Sequence, residues 1–409
     1  MFQTPFAMTA LSSQPSARMT IIDALRGFAL FGLFIVHTLE HFDFNGYPAA
    51  EPSWLLALNQ WIYDIVFFLF AGKAYAIFSM MFGLSFFIQM DRQAQRGVNF
   101  TGRFGWRLLI LLGLGYIHGL FYCGDVLTVF ALCGFLLLVL FRLPTKLLLI
   151  LSGLCILQIP FLVQFAQAFA DPSFQLPESR MLALFEGGAV VYGNGSLLDV
   201  IRYNAWSGQL AKWLFYVDYG RLWQIAALFI WGMLLGRSRF FEHYEDYLPL
   251  CRKVLWGSLA AFLLLKGALS LVPGAGFTEA AATLADKTIT SYANIAQTAA
   301  MAALFILIYA RLSFRPLLDR LAPLGKMSLT CYTSQSVIGT LVFYAWGFGM
   351  YAHWGIAWSL LYGIVFFALQ MALCPLWLRY FQYGPLEWLW RCLTFTDFHI
   401  PLRRRRKAA

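Results

Sequence analysis

The sequence predicts an all-α, polytopic membrane protein of about ten transmembrane helices, with one extra interfacial or re-entrant helix. Three observations predict it. Of the 409 residues, 60% are hydrophobic and only 12% are charged. Apolar runs long enough to cross a bilayer recur from residue 24 to about 378. The cations between these runs are unevenly shared. With spans at 24–42, 73–90, 106–122, 125–141, 147–169, 219–236, 253–272, 289–311, 327–349 and 355–378, 23 of the 30 Lys and Arg fall on the side carrying both termini. Only Lys73, Arg180, Arg202, Lys212 and Lys287 fall on the other, while Arg221 and Lys266 lie within spans. Such asymmetry marks cytoplasmic loops, so both termini are expected in the cytoplasm.

The net charge of +10 is explained by this distribution and calls for no nucleic-acid partner. No alternating pattern suggests an outer-membrane barrel. Residues 1–23 read as a cytoplasmic tail, 24–378 as the helical bundle and 379–409 as a basic cytoplasmic tail. Its Arg403-Arg404-Arg405-Arg406-Lys407 run suits anionic membrane lipid. The seven cysteines form no CxxC pair and read as soft hydrophobes, so no metal is expected.

Two segments need separate treatment. Residues 54–71 are apolar enough to span, yet only Gly72 and Lys73 separate them from the next run. Counting them as a span would strand Arg92, Arg96, Arg103 and Arg107 outside. They are therefore expected to form an interfacial or re-entrant helix on the outer face. In the long outer loop, 170–218, Ser196 followed by Asp199 has the pattern of a capped helix start. The amphipathic stretch after it is either a lid over an outer pocket or a surface helix that seals the bundle.

The first span carries the most informative chemistry. Arg26 and His37 are separated by ten residues, close to three helical turns, so they share one face about 16 Å apart along the axis. Asp23 and His41 extend the same stripe. An intramembrane charge is costly and marks a functional site by default. Arg26 alone could snorkel and His37 alone could bond a neighbouring helix; the pair on one face favours function.

The topology brings His118, Asp125 and Lys73 to the same outer end as His37. A carboxylate beside an imidazole orients it and makes it more basic, as a general base requires. Equally, His118 and Asp125 could only pin their two spans together. At the cytoplasmic mouth, Arg92, Arg96, Arg103, Arg107 and Lys326 suit phosphate binding, although positive-inside topology predicts the same residues. Within 325–336, GKMSLTCYTSQS, small polar residues act as helix glue. Gln335 stands out because a buried amide needs partners or a cavity.

Several stretches together resemble the YeiB-like family of bacterial membrane proteins: DALRGFALFG (23–32), FSMMFGLSF (78–86), WRLLILLGLGYIHGL (106–120), GDVLTVFALCG (124–134), LGKMSLTCYTSQS (324–336) and FQYGPLEWLWRCLT (381–394). That family is similar in turn to transmembrane acyltransferases. The acyltransferase-three branch carries an Arg, ten residues, then a His in its first helix, the spacing of Arg26 and His37 here. The heparan-glucosaminide acetyltransferase branch keeps its His in the following loop, where this chain has none in 42–53. Many YeiB-like chains carry Asn in place of His37.

The resemblance implies a multi-pass protein of the bacterial inner membrane that moves an acetyl or other acyl group from cytoplasmic acyl-coenzyme A. The acceptor, a hydroxyl or amine at the outer face, would belong to an envelope sugar, a lipid or a secreted small molecule. His37, Asp125 and His118 are the expected catalytic group. Arg26, Asp23, Lys73, Arg103, Arg107, Lys326 and Gln335 are the expected binding residues. Direct transfer and an acyl-histidine intermediate both fit. The rival reading is a transporter of a small organic anion using Arg26 as anchor and His37 as proton relay.

Overall fold

The computed structural model describes residues 19–40, 42 and 52–404. His41, residues 1–17 and residues 405–407 of the basic tail lie outside that set. Among the described residues the chain is helical throughout, and seven helical segments are long and apolar enough to cross a membrane. The shorter apolar helix Leu127–Leu140 adds to them. This is a multi-pass membrane protein.

The apolar runs become α1 (Thr20–Glu40), α3 (Ala74–Ala94), α4 (Thr101–Phe121), α5 (Leu127–Leu140), α11 (Arg221–Arg237), α12 (Leu248–Leu271), α13 (Glu279–Tyr309), α16 (Ser328–Phe343) and α17 (Ile356–Tyr380). Residues 147–169 form two helices, α6 (Thr145–Leu157) and α7 (Ile159–Ala170), because Gln158 takes a left-handed conformation, φ 50°, and breaks the run. The segment 54–71 becomes the extra helix α2 (Ser53–Phe70). The long loop 170–218 folds as α8 (Arg180–Asn194), α9 (Leu197–Tyr203), a π turn and α10 (Gln209–Asp218). Short helices α14 (Arg315–Asp319) and α15 (Ala322–Lys326) precede α16, and α18 (Pro385–Phe395) follows α17.

Small residues set the closest approaches, as expected where helices associate without a hydrophobic driving force. A Cβ on Gly232 of α11 would lie 1.9 Å from the Met80 carbonyl oxygen, and one on Gly83 of α3 2.1 Å from that of Phe229. These two parallel helices thus dock backbone to backbone. Gly325 of α15 admits the Asp23 carbonyl of α1 in the same way, at 1.8 Å from a virtual Cβ.

The course of α2 follows from its neighbours. Phe70 packs on Phe28 and Phe31 of α1 with ring centroids 6.2 and 5.7 Å apart. One turn earlier Val66 packs with Ile35 and Leu39, and Asn59 accepts a 2.8 Å hydrogen bond from the Ala357 amide at the start of α17. The helix therefore runs antiparallel to α1 along its C-terminal half. After a break at Ala71–Lys73, with Gly72 at φ 79°, α3 continues in the same direction until Ser85 meets Arg26. The break is satisfied internally: Lys73 donates to the Phe67 carbonyl at 3.2 Å and Gln297 to that of Phe68 at 2.8 Å. Backbone freed inside a membrane needs such partners.

Candidate functional site

Helix α1 carries Arg26 and His37 into two different cavities. The first, of about 550 Å³, lies at the end of the bundle away from the chain termini and is lined by His37, Lys73, Arg221 and Lys266 among others. The second, of about 250 Å³, lies at the terminal, basic end and is lined by Arg26, Arg107, Lys326, Ser85 and Gln89. Leu33 belongs to the wall of the first cavity, Phe78 and Phe82 to that of the second.

At the basic end, Arg26 donates to Asp23 at 2.9 Å and to Ser85 at 2.5 Å. Its guanidinium is thereby fixed beside the cavity. Arg107 lies with its guanidinium carbon 3.5 Å from the ring centroid of Trp390, a close cation–π stack. Its Nε has no hydrogen-bond partner. The expected cluster is only partly assembled. Arg107 and Lys326 join Arg26, whereas Arg103 points away, donating to the Thr394 carbonyl at 3.1 Å and lying 5.9 Å from the Phe395 ring.

At the far end the imidazole of His37 faces Tyr122, 5.4 Å between centroids, and Tyr332, 6.2 Å. The same two rings face His118, at 5.8 and 5.2 Å. Tyr122 and Tyr332 thus pack against both histidines. His118 Nδ1 is 2.9 Å from Asp125 Oδ1. Asp125 is fully buried and also accepts from the Leu127 and Thr128 amides and from the Thr128 hydroxyl, at 3.1, 3.0 and 2.8 Å. Those bonds tie it to the first turn of α5 from just before the N-cap Val126, so its position follows from the local turn. Tyr332 locks the same turn, donating to the Gly124 carbonyl and accepting from the Val126 amide, both at 3.2 Å.

The expected grouping of His37, His118, Asp125 and Lys73 is therefore split. His37 and Lys73 share a cavity; Asp125 orients His118. Gln335 is brought to neither cavity: its amide donates to Gln370 at 2.7 Å, and Gln370 donates to Ser334 at 3.0 Å. It joins α16 to α17.

Sequence reasoning missed Lys212. It lies on α10, in the 170–218 loop, yet is buried with Nζ 3.6 Å from Asp125 and 2.7 Å from the Thr128 hydroxyl. The loop helices thus close over the His118–Asp125 pair and supply its cation. A lysine on the wetter face of an amphipathic helix gives no sequence sign of this inward turn. The capped start is as expected: Ser196 and Asp199 form a reciprocal capping box at the head of α9.

Comparison with known proteins agrees with this architecture in extent. Residues 235–397 match the family described as protein of unknown function (DUF418). The uncharacterized protein YxaH of Bacillus subtilis is 29% identical over 95% of this chain and 97% of its own length. The uncharacterized protein YeiB of Escherichia coli is 25% identical over 92% and 96%. The chain is similar to YeiB from end to end. An uncharacterized 39.9 kDa protein in the amylase 3' region of Bacillus acidopullulyticus is 26% identical over 95% and 97%. These likenesses support YeiB-like kinship, and the family match takes in Lys326 and Trp390 of the basic-end cavity.

Proposed function

We propose that the protein is an inner-membrane acyltransferase that uses acyl-coenzyme A from the cytoplasm, with both termini on the cytoplasmic side. One observation carries the reading: a single helix places Arg26 in a cavity at the basic end and His37 in a second cavity about 16 Å further along. The basic-end cavity, below the roughly 300–1,000 Å³ of ordinary ligand pockets, suits the diphosphate and pantetheine of a coenzyme and leaves the nucleoside outside. Arg26, Arg107 and Lys326 match the diphosphate charge. The pantetheine arm then leads the thioester along α1 toward His37.

There the acceptor hydroxyl or amine loses its proton to the His37 imidazole as its oxygen or nitrogen bonds to the acyl carbon. The carbon–sulfur bond breaks, and the imidazolium returns the proton to the departing thiolate. An acyl-histidine intermediate fits the same geometry. His118, held by Asp125, is a positioning residue.

The broken helices favour a second reading. Discontinuous spans, here interrupted at Gly72 and Gln158, are a hallmark of transporter sites, and a small organic anion could use the two cavities in turn. Saturable binding of acetyl-coenzyme A separates the two. Wild-type protein in detergent is expected to bind it, with Arg26→Ala and Arg107→Ala each weakening binding about tenfold or more and Arg103→Ala much less. A folded protein that binds no acetyl-coenzyme A overturns the acyltransferase.

A further inference from the structure

The far-end cavity holds more cationic charge than general-base chemistry uses. Lys73, Arg221 and Lys266 all line it, and Arg221 and Lys266 stand close enough to repel the Lys73 ammonium. The three come from different helices: the start of α3, the start of α11 and the last turns of α12. None has a carboxylate within ion-pairing distance among the described residues. Lys73 is occupied by the Phe67 carbonyl, and Arg221 rests on the faces of Tyr75 and Phe215, 4.6 and 5.2 Å from their centroids.

Two acids share the lining, Glu40 and Asp64. Their places along the helices put them nearer the mouth. Glu40 is eight residues beyond Gly32, whose virtual Cβ touches Ala74 at 2.9 Å; that is about 12 Å of helix. Asp64 accepts from the Gln60 amide at 2.9 Å on the exposed side of α2. Lys73 therefore lies deeper than either acid, at the first turn of α3, with Arg221 and Lys266 near enough to repel it. That turn has no side-chain cap, so its amide dipoles add to the positive field.

Mutually repelling cations that lack carboxylate partners are costly in a membrane protein unless an anion joins them. The rest of the lining mixes polar side chains, Thr290, Asn294 and Gln297 of α13 among them, with apolar ones that include Phe68 of α2 and Phe262 of α12, which meet edge to face at 5.9 Å. On either side of that seam, Ile65 and Leu263 point outward, 51% and 67% exposed. Lys266 is five residues from the end of α12, about 7.5 Å below the far end of the helix, a depth suited to a lipid headgroup.

We propose that this cavity binds the phosphate of an anionic membrane lipid, seated on Lys73, Arg221 and Lys266 with its hydrocarbon at the α2–α12 seam. As His37 opens into the same space, such a lipid would be the acceptor, or would carry it; that role rests on the acyltransferase reading, whereas the binding does not.

The test uses full-length protein freed of lipid in a non-ionic detergent. It is titrated separately with short-chain phosphatidic acid, phosphatidylcholine, glycerol 3-phosphate and inorganic phosphate, and binding is followed by tryptophan fluorescence. Phosphatidic acid is expected to bind saturably, at least about tenfold more tightly than phosphatidylcholine. Lys266→Gln and Arg221→Gln should each weaken it severalfold and together about tenfold or more, while Lys146→Gln, an exposed cation elsewhere, leaves it unchanged. Lys266 is exposed, so its single variant folds even where the double variant does not. Equal binding of phosphatidylcholine, or indifference to Lys266→Gln, overturns the proposal. Glycerol 3-phosphate binding as tightly as the lipid also overturns it, in favour of a soluble phosphate. Acetyl-coenzyme A binding measured on the same samples reports separately on the basic-end cavity.

Discussion

His118 Nδ1 lies 2.9 Å from Asp125 Oδ1, and its other ring nitrogen, Nε2, is buried with no protein partner. In the tautomer that donates from Nδ1 to the carboxylate, Nε2 keeps a free lone pair. Lys212 reaches the same carboxylate from α10. The result is a buried carboxylate between an imidazole and an ammonium, with two backbone amides and the Thr128 hydroxyl completing its shell.

Removing that charge should be severe. Asp125→Asn leaves Lys212 buried against a neutral amide, and breaking a buried pair this way costs about 3–5 kcal/mol. Thermal unfolding in detergent is expected to show the loss, and Lys212→Met in the Asp125→Asn background should recover a good part of it. Additive costs for the two substitutions would mean that the ion pair does not couple the 170–218 helices to α5.

His37 calls for the opposite behaviour. Its ring is only half-buried, so His37→Ala should unfold near the wild-type temperature while lowering acyl transfer by roughly 10²–10⁴-fold, the usual worth of a general base. Coenzyme A binding at the basic end should persist. A His37→Ala protein that transfers at the wild-type rate would remove the imidazole from the mechanism.

The fold was legible because hydrophobic length and charge asymmetry are one-dimensional signals. The run at 24–42 becomes Thr20–Glu40 and that at 355–378 becomes Ile356–Tyr380 with ends shifted by a few residues. The pairing of polar groups was less legible, since helix rotation and depth depend on which neighbours pack closest. Arg103 and Arg107 differ by one turn, yet only Arg107 meets the cavity, because Trp390 of α18 holds it there. Gln335 met the other expectation for a buried amide and found a partner, Gln370, 35 positions away. Lys212 had no sequence signal at all, as its role is set by how the 170–218 loop folds back.

Gln335 is accordingly structural. Gln335→Leu orphans the Gln370 side-chain oxygen and should cost about 0.6–2 kcal/mol, the range for interhelical hydrogen bonds in membranes. Acetyl-coenzyme A and phosphatidic acid binding should be unchanged by it, as isothermal titration would show. A loss of either ligand at full stability would place Gln335 in a binding site after all.

Glu387 ties the C-terminal helix to the bundle. From α18 its Oε1 accepts from the Leu329 and Thr330 amides at 2.7 and 3.1 Å, and its Oε2 from the Thr330 hydroxyl at 2.5 Å. It therefore caps the start of α16 from another element. Burial raises its pKa above the ordinary 4.5, outweighing the hydrogen bonds that favour the charged form. With the native pKa the higher, the folded state binds more protons than the unfolded state between the two values. The linked stability is then full below about 4.5 and is lost as pH rises through the native value. The difference in unfolding temperature between wild type and Glu387→Gln, a neutral isostere lacking this linkage, should shift against wild type as pH rises above 4.5. Hydrogen exchange of α18 should follow the same trend. A difference independent of pH would show that the fold leaves the carboxyl's pKa unmoved, and one growing with pH that the carboxylate is better stabilised in the fold than in water.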